Sequence, residues 1–127
     1  MLRFLLPSIS WGILILLLYA IPGTDLPSMT IWDVFGADKM MHALMFSLFV
    51  TIMIVGFRRQ NVSRALRNRA TWLALGIGIC YGILMESIQG MVFVERTTDI
   101  LDMVANCAGA LLGIVIFRII YGSTAFA

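Results

Sequence analysis

This sequence predicts an all-α, polytopic membrane protein, a four-transmembrane-helix bundle with both termini cytoplasmic, and three observations carry the prediction. Hydrophobic residues make up 61% of the 127 positions and charged ones only 13%, far from the composition of an ordinary water-soluble domain. Four apolar segments, about Phe4 to Ile21, Met40 to Phe57, Thr71 to Ile88 and Leu101 to Tyr121, each approach the roughly 20 residues a helix needs to cross the hydrocarbon core. The connections between them are short and differ sharply in charge. Four spans use up the length, so residues 1–127 read as a single membrane domain.

The first segment follows Arg3 as the core of a secretory signal would, but Ala20-Ile21-Pro22-Gly23 makes a poor cleavage site, so it reads as a retained helix. Pro22-Gly23 closes it. Residues 24–37, with Pro27, Trp32 and Phe35, suit a loop lying partly among headgroups. The second connection carries Arg58, Arg59, Arg64, Arg67 and Arg69. Short arginine-rich loops stay in the cytoplasm, which puts Arg3 and Arg118 inside as well. Seven of the nine basic residues then face the cytoplasm, and all seven acidic residues fall in the opposite half. The arginine loop itself reads as a topology signal attracted to anionic lipids, with no chemistry. Cys80 and Cys107 lie in apolar stretches without zinc or disulfide spacing. Nothing in the chain points to nucleic acid.

Three helix ends converge on the extracytoplasmic side. Asp38 and His42 are four apart at the start of the second span, on one face, with Lys39 beside them. Glu86 and Gln89 end the third span, and Asp99, Asp102 and Asn106 follow one another on the fourth, with Arg96 just before it. Asp38 and Asp99 also suit helix N-caps, and Asn106 suits an interhelical hydrogen bond. Glu86 is the hardest to treat as structural, because a charge in an apolar span costs about 2.5–3.5 kcal/mol at the centre and less near the interface. Its bland reading is an ion pair with Arg96 or Lys39. Gly78 and Gly82 share a face with Glu86, while Gly109 and Gly113 continue the Asn106 stripe. The simplest packing sets the third helix against the fourth along these faces; the same small residues also suit a homo-oligomer.

The blocks Asp38-Lys39-Met40-Met41-His42, Tyr81 to Gln89, and Arg96-Thr97-Thr98-Asp99-Ile100-Leu101-Asp102 with Asn106 and Gly109 resemble those of the VanZ-like family, in the same order. The resemblance covers about Asp38 to Gly113. It departs at Val92-Phe93-Val94-Glu95, where the family often has a Pro- or Gly-containing turn. The resemblance implies a small multi-pass protein of the bacterial cytoplasmic (inner) membrane, in a family whose founding member is associated with glycopeptide, specifically teicoplanin, resistance. It implies no reaction and no cofactor.

Three functions fit the residues. In the first, the polar site faces outward in a cell-envelope role and binds or modifies a lipid-linked, lipoglycopeptide or other anionic amphiphile. Lys39 and Arg96 would hold the headgroup together with Asp38, Gln89, Asp99 and Asn106, while His42, Glu86 and Asp102 are the candidate catalytic groups. A metal variant uses His42, Glu86 and Asp102 as ligands, although no compact motif demands it. The second is a small transporter or ion-passage protein using the carboxylate and histidine as a proton relay. The third is a structural or accessory protein whose cluster locks the bundle.

Overall fold

The computed structural model describes residues 1–21, 36–91 and 99–123, and every element among them is helical. The apolar N-terminal run forms α1 (Leu2–Tyr19). Helix α2 (Ala37–Arg59) starts after Gly36, whose φ of 63° is left-handed and suits glycine. Asp38 in its first turn and Arg58 and Arg59 in its last complement the helix dipole. Buried Gln60 then shapes the turn: its Oε1 accepts from Val62 and Ser63 N–H (2.9 and 2.8 Å), and its Nε2 donates to the Phe57 and Ser63 carbonyls (3.2 and 2.6 Å). Ser63 caps a short helix, α3 (Arg64–Asn68), within the arginine-rich connection, where the sequence predicts only a loop. Helices α4 (Ala70–Met91) and α5 (Ile100–Tyr121) complete the chain, the latter capped by Asp99.

Four of these helices, with spans of 18, 22, 22 and 22 residues, are long and apolar enough to cross a membrane. Their outer faces carry Leu2, Leu17, Ile100 and Ile119, each more than 60% exposed, a surface suited to lipid rather than water. Helix α2 is the hub and touches α1, α4 and α5. Its seam with α5 is set by Gly109 and Gly113. A Cβ on Gly109 would overlap the Ala43 carbonyl, and one on Gly113 would come within 2.6 Å of the Ser47 oxygen. Thr51 Oγ1 crosses the same seam to the Gly113 carbonyl at 3.0 Å.

The third span does pack on the fourth, as the simplest packing has it, but the α5 glycines have a different partner. The glycine stripe of α5 lies on α2, whereas Gly78 and Gly82 of α4 face Val50 and Phe46 of α2 as well as Ala110 and Asn106 of α5. All four glycines are buried within one copy of the chain, so an oligomer would need other surfaces. Phe46, Val50, Ile54 and Phe117 fill the interior beneath the polar end with almost no exposure.

Candidate functional site

The polar side chains gather where α1 and α4 end and α2 and α5 begin. Four helices contribute, including α1, which sequence reasoning left out. Tyr19, in the last turn of α1, is 3% exposed and joins a ring with His42 and Asn106. Asn106 Nδ2 donates to the Tyr19 hydroxyl at 3.0 Å, Asn106 Oδ1 lies 3.1 Å from His42 Nδ1, and that nitrogen lies 2.8 Å from the phenol oxygen. The Gly82 carbonyl, 3.5 Å from Nδ2, decides which end of the amide donates. Asn106 Oδ1 is then an acceptor, so His42 Nδ1 carries a proton. The phenol proton is left for Glu86, its neighbour on α4.

Lys39 binds the start of α5. Its Nζ donates to Asp102 Oδ1 at 3.1 Å and reaches Asp99 Oδ2 at 3.5 Å. Asp99 is the N-cap expected for it, accepting from the Leu101 N–H at 2.8 Å. That bond, helped by Lys39, holds its carboxyl below the ordinary aspartate range. Glu86, fully buried, accepts from the Asp99 N–H at 3.3 Å and so pins α4 to the entrance of α5. Lys39 takes Asp99 and Asp102 as its ion-pair partners; Arg96 lies outside the described residues.

Asp38 stands inside the first turn of α2, with Gly36 as the N-cap in its place. Its Oδ1 lies 3.6 Å from His42 Nε2, and Asp102 Oδ2 lies 3.9 Å from the same nitrogen. The metal-type grouping among the described residues is therefore Asp38, His42 and Asp102, with Glu86 outside it. Gln89, also buried, donates to the Tyr19 carbonyl at 3.4 Å and ties α4 to the end of α1.

One hollow is lined by this cluster and a second lies near it. A pocket of about 200 Å³ is lined by Leu18, Tyr19, Asp38, His42, Met45 and Gln89, among others. A groove of about 350 Å³ runs between α1, α2 and α4 past Leu5, Gly12, Leu16, Phe49, Met53 and Tyr81, and is almost wholly apolar. Leu16 and Phe49 at one end of the groove are each within about one helical turn of pocket residues Leu18 and Met45. Two bonds from aromatic side chains hold α1 over the groove: Trp11 Nε1 donates to the Met45 carbonyl at 2.9 Å, and Tyr81 donates to the Gly12 carbonyl at 2.6 Å.

The fold and site define a multi-pass α-helical membrane protein whose described acidic side chains gather with His42 and Lys39 at one end, while arginines concentrate at the other. The VanZ/LLP1 family model matches residues 4–121, and the chain belongs to that family. No curated protein and no solved structure gives a significant match.

Proposed function

We propose that this protein binds an envelope amphiphile from the outer leaflet of the bacterial cytoplasmic membrane. The tail lies in the groove beneath α1, and the headgroup sits at the Tyr19, His42 and Gln89 pocket. The observation that carries this reading is the proximity of the two hollows: an apolar groove of lipid-tail character comes within about one turn, on both α1 and α2, of a pocket lined by buried hydrogen-bonding groups. Ligand sites combine apolar lining with a few converging polar groups in just this way. Arginine bias at the opposite end of the bundle supports the orientation, with both termini and the Arg58–Arg69 connection in the cytoplasm.

Binding is favoured over chemistry because His42, Glu86 and Asp102 are each engaged by neighbours on other helices. Passage across the membrane is disfavoured because Phe46, Val50, Ile54 and Phe117 close the interior below the cluster. An envelope ligand connects the site to the family's association with glycopeptide resistance, and deletion of the gene with measurement of teicoplanin susceptibility examines that role in the cell.

Native mass spectrometry of the purified chain tests the binding directly. Wild type should retain one lipid class. Ile13→Trp, at a lipid-facing groove position, should lose it by filling the groove, and Gln89→Ala should retain it more weakly. Equal, unselective lipid retention by all three folded proteins would end the proposal.

A further inference from the structure

We infer that Asp38, His42 and Asp102 form a binding site for a first-row divalent cation such as Zn²⁺ or Mn²⁺. The inference goes beyond the amphiphile reading, and its test uses no added lipid. The donors come from two helices that their own packing fixes: Asp38 and His42 are one turn apart on α2, and Asp102 is held opposite them by the Gly109 seam.

The far side of the imidazole decides which nitrogen is available. His42 Nδ1 carries its proton because it faces the Asn106 carbonyl oxygen, so the remaining nitrogen, Nε2, is the one presented to Asp38 and Asp102. A neutral ring in this tautomer points a lone pair at two carboxylates. It is 9% exposed and cannot turn away without breaking the Tyr19 and Asn106 contacts. This is the arrangement found in protein metal sites, where the outer nitrogen of a ligating histidine is fixed by a carbonyl or carboxylate so that the inner one faces the ion.

The spacings agree. At 3.6 and 3.9 Å, Nε2 is too far from either carboxylate for a hydrogen bond, and one donor atom from each of the three residues lies within 4.8 Å of the others. Ligands about 2.0–2.2 Å from a central ion stand roughly 3–4 Å apart, so a small inward movement brings all three donors onto one ion. The two oxygens of Asp102 are already divided, Oδ1 to Lys39 and Oδ2 towards His42. Charge favours a cation as well, since this end of the bundle gathers four carboxyl groups, Asp38, Glu86, Asp99 and Asp102, against one lysine among the described residues, and that lysine is paired with Asp99 and Asp102 alone. One imidazole and two carboxylates suit a borderline or hard ion and leave coordination positions open to water or to an oxygen of a headgroup.

The full chain, purified in detergent and stripped with chelator, is titrated with Co²⁺ while its visible absorption is followed. One equivalent should bind saturably, be displaced by Zn²⁺, and be lost in His42→Gln and Asp102→Asn. The Asp38 side chain is 57% exposed, so Asp38→Asn keeps the fold intact and should still lose most of the binding. Asn106→Ala, a positioning change, should weaken affinity about 10–100-fold. Absence of saturable Co²⁺ binding would mean that a proton on Nε2 satisfies both carboxylates, and would overturn the inference. So would undiminished binding in a folded Asp38→Asn protein.

Discussion

Asn106 Oδ1 and His42 Nδ1 stand 3.1 Å apart across the α2–α5 seam, 64 residues apart in sequence, and with the amide oriented by the Gly82 carbonyl this contact assigns a proton to Nδ1. Asn106 also donates to Tyr19 and faces the Gly82 carbonyl, so one amide joins four helices at the polar end of the bundle. Asn106→Leu should therefore lower stability by about 1–2 kcal/mol, at the upper end for interhelical hydrogen bonds in membranes, because it also leaves His42 without its acceptor. Thermal or SDS unfolding in detergent measures the loss, and an unchanged midpoint would show that the ring contributes nothing.

Glycine substitutions should separate the seam from the surface. Gly109→Ala places a methyl against the Ala43 backbone and should cost about 1–3 kcal/mol through overpacking. A methyl on Gly76 would meet nothing within 4 Å, so Gly76→Ala should be neutral or stabilise by up to about 1 kcal/mol through helix propensity. The comparison is made by unfolding both variants in the same detergent.

The hold of α1 on the bundle can be loosened without touching the polar cluster. Tyr81→Phe removes the bond to the Gly12 carbonyl and should cost about 0.6–1.7 kcal/mol. Hydrogen exchange should then rise along α1 while the α2–α5 seam keeps its protection.

The Asp99 cap gives a pH dependence of defined sign. The Leu101 N–H and Lys39 lower its carboxyl in the folded protein, so its stabilising effect is complete above the ordinary aspartate value of about 4 and is lost as pH falls through the lower folded value. The melting temperature of wild type should exceed that of Asp99→Ala by a constant margin at neutral pH. That margin should shrink below about pH 4.

Orientation has its own test. A fluorescent protein that matures only in the cytoplasm should fluoresce when fused to the C-terminus, and alkaline phosphatase at the same position should be inactive.

Hydropathy made the four spans legible, because length and apolar content alone decide whether a helix crosses lipid. The offsets among Asp38 and His42, Glu86 and Gln89, and Asp99, Asp102 and Asn106 made the convergence legible, since helical spacing puts each set on one face. Tyr19 was not legible in this way. A lone tyrosine at the end of an apolar run carries no period and looks like an interface anchor; the available signal was its depth, level with His42 at the same end of the bundle. The partner of the Gly109 and Gly113 stripe was illegible for a related reason: small residues announce a close approach but not the helix that makes it. The third metal-type ligand depended on tertiary geometry too, with Asp38 reaching the His42 ring and Glu86 turned instead to the Asp99 amide. Arg96 and residues 92–95 before it lie outside the described residues.

One membrane amphiphile is proposed to occupy the groove under α1, a claim that photo-crosslinking in native membranes can test. A photoreactive residue replaces Ile13 in the groove or, as a lipid-facing control, Leu111 on α5; both positions are 53% exposed. Mass analysis of the adducts should find one lipid class enriched at position 13 over position 111. The same bulk-lipid profile at both positions would contradict the claim.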